Sequence, residues 1–526
     1  LIAPLVETAA DLINAAMERK IMEKRYIMVF DQGTTGSRVL IVDQDGEVRG
    51  SAYREIKQIY PQPGWVEHDP AEIWESSLRC AEDVFDGSGI RPAEIAAIGV
   101  TNQRETTVVW DRTTGKPLHN AIVWQCRRTA PICEELKNRG LADEVRRRTG
   151  LVIDPYFSAS KIMWIRDNVA QVREKIARDQ VATGCVDSWL IWNLSGGKSH
   201  VTDYSNASRT MLFNVNTLQW DDFLLEKTGI PISVLPEAKP SSGVFGYTDQ
   251  AVFFGERVPI TGVAGDQQAA LFGQTCFKPG MIKNTYGTSL VAVLNIGDQF
   301  ALSKNQLITD LAWFVDDHVT YALEGVIFTG GSVVQWLRDG LQIIEHAADT
   351  APMAQSVADT GGVYIVPAFT GLCCPYWEPY ARGTIVGITR GTSRAHIARA
   401  ALESIAYQSR DIIEAMISDS GRHLDSLRVD GGATANEFLM QFQADLLGIP
   451  LEKPAVIEMT AFGAAYLAGL AIGLWQSQEE ISQQWKVQKV FEPRMSKDQR
   501  EGLYAGWKNA VTRSFDWAKH VYNPKS

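Results

Sequence analysis

Along the chain, short apolar runs alternate with amphipathic stretches, and the runs end in turns rich in acids, glycines and hydroxyl residues. Tyr26–Phe30 is the first strand-like run, leading into Asp31-Gln32-Gly33-Thr34-Thr35-Gly36-Ser37-Arg38. Val39–Val42 follows at once, and Asp45-Gly46 supplies a hairpin turn signal because both residues tolerate the positive φ that tight hairpins need. Asp69 and Pro70 give an N-cap and a first-turn proline for a helix reaching Phe85, with Ile73, Ser77, Ala81 and Val84 on one face. Ile95–Val100 reads as a buried strand running into Asn102-Gln103-Arg104-Glu105-Thr106.

The pattern repeats in the second half. Ile260–Ala264 is strand-like and ends in Gly265-Asp266-Gln267-Gln268, and Met281–Asn295 reads as two strands around Tyr286-Gly287-Thr288-Ser289. Ser426–Val429 enters Asp430-Gly431-Gly432-Ala433-Thr434-Ala435-Asn436, before a helix with Leu439, Phe442 and Leu446 at its apolar positions. Strands alternating with helices predict an α/β layer structure. The two cycles predict two similar α/β domains facing a cleft. Short-period repeats and low-complexity segments are absent.

Composition narrows the class without choosing a function. A chain of 526 residues, 45% hydrophobic and 21% charged, buries large cores and is neither disordered nor a disulfide scaffold. With 51 basic and 62 acidic residues the net charge is −11, which argues against a nucleic-acid partner or an anionic membrane surface. Seven scattered cysteines without a CxxC pair read as buried thiols in a reducing, cytoplasmic compartment. No run of 18 apolar residues is present, so no transmembrane segment is expected. Residues 1–22 are expected to be an N-terminal extension, with Met22 as a natural start. Their acids fit neither a secretory signal nor a transit peptide.

Several familiar chemistries are missing. Gly197-Lys198-Ser199 looks like the tail of a Walker A loop, but Trp192 stands where its first glycine belongs, and GxGxxG, HRD, GxSxG and HExxH are all absent. The Asp31–Arg38 loop has its own logic. Its glycines let backbone N–H groups approach an anion, Thr34, Thr35 and Ser37 add hydroxyls, and Asp31 is suited to Mg²⁺ held through water. Arg38 offers charge to a phosphoryl group. The same segment also reads as a solvated hairpin turn. Asp266 is placed to accept a substrate hydroxyl's proton, or equally to cap the helix that follows. Gly287-Thr288 and Gly431-Gly432 suit nucleotide phosphates or plain structural turns. Arg104-Glu105 suits a polyol, whose hydroxyls both donate and accept, or a surface ion pair. Trp124 and Tyr156 suit walls for a carbon chain, or the core.

Taken together these residues closely resemble the FGGY carbohydrate kinases, from about residue 23 onward. The most specific pieces are Asp31–Arg38, Asn102–Thr106, Gly265–Gln268 and Phe369–Gly391. Two family signatures match: the continuous stretch Tyr156–Ile165, which includes Lys161 and Trp164, and Gly383 through Gly387, His396 and Ile397 to Glu403. The resemblance implies two actin- and hexokinase-like (ribonuclease H-like) α/β domains flanking a central cleft. Residues 23–275 would carry the polyol site and phosphate loop, and residues 276–526 the nucleotide site. It implies ATP-dependent phosphorylation of glycerol to sn-glycerol 3-phosphate, with ATP and Mg²⁺ required and a homodimer or homotetramer as the assembly. Asp266 would be the base, with Arg38 close to the transferring group. Arg104, Glu105, Tyr156, Asp266 and Gln267 would hold glycerol's hydroxyls, with Trp124 against its carbons. Thr34, Thr35, Ser37, Thr288, Gly331, Gln335, Gly432 and Asn436 would line the nucleotide, and Asp31 and Asp266 would lie nearest Mg²⁺.

Three departures from the family pattern stand out. Ser289 replaces a second glycine, Val291 replaces an aromatic, and Ala251–Arg257 lacks both a histidine and the full glycine pattern of regulated members. No histidine phosphorylation is expected at that loop. A kinase of the same fold for another polyol or ketose, a catalytically silent sugar or nucleotide sensor, and an actin-like filament protein are the competing readings.

Overall fold

The structure, a computed structural model, describes residues 25–519, so the expected extension over residues 1–22 lies outside the described residues. The chain divides into two units. One comprises the described residues up to Gly273 with Trp313–His318 and Thr460–Gln484; the other comprises Gln274–Ala312, Val319–Met459 and the described residues from Trp485.

The first unit is built on β1 (Tyr26–Gln32), β2 (Gly36–Asp43), β3 (Val48–Glu55), β4 (Ile95–Asn102), β5 (Ser242–Tyr247) and β6 (Pro259–Gly265), in sheet order β5-β6-β4-β1-β2-β3. β1 to β3 form an antiparallel meander, whereas β1, β4 and β6 run parallel. β1 is buried on both faces, which is why it reads as a continuous apolar run rather than an alternating one. One face carries α1 (Pro70–Ser88), started by Asp69 accepting from Ala71 N–H and ended by Gly89 at φ 71°. Its Ile73, Ala81 and Val84 join Met28, Phe30, Val39 and Ile41 in one core. On the other face the helix Met459–Ala471 lies against glycines. A Cβ on either Gly99 or Gly262 would come within 2.6 Å of the Ala464 carbonyl oxygen, so only glycine permits this approach.

The parallel strands fix where chemistry can sit. Gln32 is level with Asn102 across β1 and β4, and Asn102 with Gly265 across β4 and β6. Three segments therefore leave the sheet at one edge, the carboxyl ends, where open α/β sheets bind their ligands.

A second sheet comprises β7 (Ile282–Tyr286), β8 (Leu290–Gly297), β9 (Ile308–Val315), β10 (His318–Ile327), β11 (Leu427–Asp430), β12 (Leu451–Pro454) and β13 (Val487–Phe491), in order β9-β10-β8-β7-β11-β12-β13, all of it in the second unit save Trp313–Val315 and His318. β7 and β8 form the expected hairpin, and β7 runs parallel to β11 with Thr285 level with Asp430. The long helix Arg394–Ser420 supplies much of the core, and its Tyr407 stacks on Trp507 at 5.3 Å. All seven cysteines are free and buried. Among the described residues no helix is long and apolar enough to cross a membrane.

Candidate active site

The β1–β2 turn separates its residues by strand parity. Asp31 and Arg38 are directly opposed across the two strands, so their side chains share a face of the sheet. Thr34 is held by Trp124, whose Nε1 donates to Thr34 Oγ1 at 2.9 Å. Thr35 is exposed, with its hydroxyl 3.3 Å from that of Tyr53. Ser37 falls on the opposite parity from Arg38. It is buried, and its hydroxyl pairs with Ser76 of α1 at 2.8 Å, so it serves sheet–helix packing and is not presented beside Thr34 and Thr35.

Past the end of β4 the chain turns sharply. Gln103 N–H donates to the Gln32 carbonyl at 2.7 Å, Thr106 N–H reaches back to the Arg104 carbonyl at 2.7 Å, and Glu105 sits at φ 60°. A non-glycine residue in the left-handed region is strained, and here the turn aims adjacent charges at different partners. Arg104 Nε lies 3.0 Å from Asp266 Oδ1. Its Nη1 donates to Gln268 Oε1 at 3.2 Å, and its Nη2 is 3.5 Å from the Tyr156 hydroxyl. Glu105 Oε1 instead accepts from Arg209 Nε at 2.6 Å, while Arg104 Nε is 3.9 Å away. Arg104 and Glu105 are 3% and 1% exposed. The pair is thus no surface ion bridge; each member pairs across the fold.

Asp266 begins the helix α2 (Asp266–Gly273) straight after β6, and Gln267 N–H donates to its Oδ1 at 2.7 Å. The Asp266 side chain is 31% exposed, in contrast to the sealed Arg104. Gly265 makes the approach feasible, since a Cβ there would sit 2.6 Å from Arg104 Cδ. Trp124 and Tyr156 meet edge to face at 5.7 Å, and the Arg209 guanidinium lies 5.6 Å from the Tyr156 ring centre. Arg104, Glu105, Trp124, Tyr156 and Asp266 are therefore linked by direct contacts within one unit. Gln267 adjoins them through its backbone.

The sequence reading missed the support beneath. Arg209 is fully buried. Buried Asp203 accepts from Ser205, Asn206 and Ser241; Ser205 Oγ takes the Gly265 N–H at 2.9 Å, and Asn206 Oδ1 takes Asn102 Nδ2 at 3.0 Å. This network clamps the ends of β4 and β6. His68 does similar work: Gln103 Nε2 approaches its Nδ1 at 3.2 Å, and its Nε2 meets Gln58 Oε1 at 2.8 Å. The only sequence signal was the Asp-x-Ser-Asn run at 203–206, an N-cap pattern.

In the second unit three glycines converge on the end of β7. Gly431, at φ 89°, would drive a Cβ to 2.6 Å from the Tyr286 carbonyl oxygen, and one on Gly331 would lie 2.8 Å from that of Gly287. Gly330 and Ser332 N–H groups bind the Thr288 carbonyl at 2.9 and 3.1 Å. Thr288, Gln335 and Gly432 are exposed around this cluster. Asn436 has a structural duty, accepting from Leu439 N–H at 3.0 Å as an N-cap and donating to Thr350 at 3.1 Å. Ser289 closes the hairpin by accepting from Gly287 N–H at 3.0 Å, and Val291 is buried in β8 opposite Thr285. In the first unit, the apolar character of Ala251–Arg257 is explained by Phe253, which is fully buried near Phe85.

The N-terminal domain of the FGGY family of carbohydrate kinases matches residues 26–273, and its C-terminal domain matches residues 282–472. A glycerol kinase from Caldanaerobacter subterraneus subsp. tengcongensis is 60% identical over 495 residues, covering 94% of this chain and 99% of the relative. Glycerol kinase 2 of Thermotoga maritima is 59% identical, covering 94% and 100%. Among solved structures, Plasmodium falciparum glycerol kinase with ADP is 37% identical with a TM-score of 0.87, covering 93% of this chain and 98% of that one. With both family domains matched across most of its length, the chain belongs to the FGGY family of carbohydrate kinases.

Proposed function

We propose that this protein transfers the γ-phosphoryl group of ATP to a primary hydroxyl of glycerol, giving sn-glycerol 3-phosphate in the cytoplasm. The observation that carries this reading is the sealed Arg104 beside the partly exposed Asp266, in a chain 60% identical to a glycerol kinase. The attacking hydroxyl gives its proton to the Asp266 carboxylate, which Arg104 orients. Glu105 accepts from a second hydroxyl, held in place by Arg209, and the guanidinium of Arg104 donates to another. Trp124 and Tyr156 cover the carbon chain. Such a site discriminates strongly, because a ligand lacking a hydroxyl leaves buried charges unpaired.

For ATP, exposed Thr35 with Thr34 in the first unit, and Thr288, Gly331, Gln335 and Gly432 in the second, are the groups assigned to the nucleotide, with Asn436 shaping the turn. Arg38 offers charge to the transferring group, as phosphoryl transfer depends on positioning and charge stabilisation. Among the described residues no cluster of three or more His, Cys, Asp or Glu side chains forms a metal cage. Mg²⁺ keeps most of its waters and arrives on nucleotide phosphates, so it asks for few protein carboxylates. Asp31 and Asp266 would hold it, and it would neutralise phosphate charge. The family resemblance carries the homodimer or homotetramer as the proposed assembly.

A coupled ADP-release assay over glycerol, xylulose, gluconate and erythritol tests the reading. We expect kcat/KM for glycerol to exceed the others by about a hundredfold or more. Preference for xylulose or gluconate would replace glycerol, and no turnover with any would favour a sensor.

A further inference from the structure

The helix Ser158–Asn168 opens with six consecutive buried residues, of which Ser158, Ser160 and Lys161 are polar. Polar side chains are buried at a cost that partners must offset. Ser158 Oγ donates to the Glu105 carbonyl at 3.3 Å, and Ser160 pairs with Thr129 at 2.8 Å. Lys161 is the costly one. It is wholly buried, and its Nζ donates to the Tyr156 carbonyl. A methionine would fill the same volume without desolvating a charge.

The cation has a counterpart. Glu105 acts electrostatically on Lys161, as do Asp154 in the preceding turn, Cys126 and Cys185; Cys133 of the neighbouring helix faces it too. Glu105 and Tyr156 are the two groups here that the glycerol reading assigns to substrate hydroxyls. One ammonium therefore touches the backbone of one polyol-binding residue and the field of another.

We propose that Lys161 is a positioning residue for polyol binding, its ammonium fixing the turn that carries Tyr156 and balancing the buried charge of Glu105. The inference rests on the reading that glycerol binds in this unit. Loss of the charge leaves a neutral amine, a weaker donor, and takes one positive charge from the surroundings of Glu105. Burial pushes Lys161 down to about 8, while Cys133 and Cys185 are pushed up to about 11 and about 12. Those two thiols stay neutral over the range in which Lys161 loses its proton.

The test is calorimetric glycerol binding to the full chain from pH 6.5 to 9.5, for the parent, Lys161→Met and Lys161→Arg, with ADP binding and thermal melting alongside. For the parent we expect affinity to fall about fivefold above pH 8, as a charge-assisted hydrogen bond becomes a neutral one. K161M is expected to bind glycerol about tenfold more weakly at pH 7, with a flat pH profile. Its melting temperature and ADP affinity should be unreduced. K161R, which keeps the charge, restores affinity and lacks the alkaline loss. Parent-like affinity and pH profile in K161M would overturn the proposal, as would K161R binding no better than K161M. If the parent itself bound no glycerol, the polyol reading would fail instead.

Discussion

Arg104 Nε lies 3.0 Å from Asp266 Oδ1, whereas the adjacent Glu105 takes its closest cation, at 2.6 Å, from Arg209. The left-handed turn at Glu105 produces this crossing. Two adjacent residues thereby reach different partners: Arg104 meets Asp266, the proposed proton acceptor, and Glu105, the proposed hydroxyl acceptor, meets Arg209.

The Glu105–Arg209 pair is buried on both sides, at 2% and 0% side-chain exposure. Arg209→Met removes the 2.6 Å partner of the Glu105 carboxylate, while Arg104 Nε stands 3.9 Å away. Stability in urea should fall by about 3–5 kcal/mol, the usual cost of stranding a buried charge. A loss below about 1 kcal/mol would mean that the remaining cations, Arg104 and Lys161 among them, compensate Glu105 without Arg209.

Glycines 431 and 502 should respond in opposite directions to alanine. Gly431 has φ 89° and meets the Tyr286 backbone, whereas Gly502 lies within the helix Lys497–Thr512 with open space around its Cβ position. Gly431→Ala should cost about 2 kcal/mol or more and raise the KM for ATP. Gly502→Ala should add up to about 1 kcal/mol. Thermal melts and nucleotide titrations of the two variants check this.

Acid stability follows from two buried histidines. Burial pushes His68 and His200 down to about 4. At His68 the Gln103 amide donates to Nδ1, so protonating that nitrogen would set two donors against each other. The folded value lies below the unfolded one, near 6.5. The unfolded chain therefore binds the proton first: stability is intact above pH 6.5 and falls as the pH drops toward 4. Each histidine should cost on the order of 3 kcal/mol by pH 4. His68→Gln should flatten part of this slope in urea unfolding series at pH 7, 5.5 and 4.5, and an unchanged slope would place the proton uptake elsewhere.

Much of the fold was legible because apolar runs mark buried strands whatever they pack against. β1, β4, β6, β7 and β11, the helix begun by Asp69-Pro70 and the hairpin around Gly287-Thr288 all lie where the pattern put them. Side-chain direction was harder to read. β1 and much of β2 are buried on both faces, so the pattern offered no parity to show that Ser37 turns toward Ser76. The burial of Arg209 and of Lys161 was not read, because a charged residue gives no sign in the sequence that it will be wholly buried. The partners of Arg104 and Glu105 come from distant segments joined only by strand order. The family resemblance marked Arg104, Glu105, Tyr156 and Asp266 without showing which one pairs with which.

The most direct test of the Asp266 assignment is Asp266→Asn, measured for glycerol phosphorylation and, on the same sample, for glycerol binding by calorimetry. The amide keeps the shape and removes the proton acceptor. Turnover should fall by roughly two to four orders of magnitude, with glycerol binding still measurable. Near-parent turnover in this variant would show that Asp266 is not the base and that the proton leaves by another route.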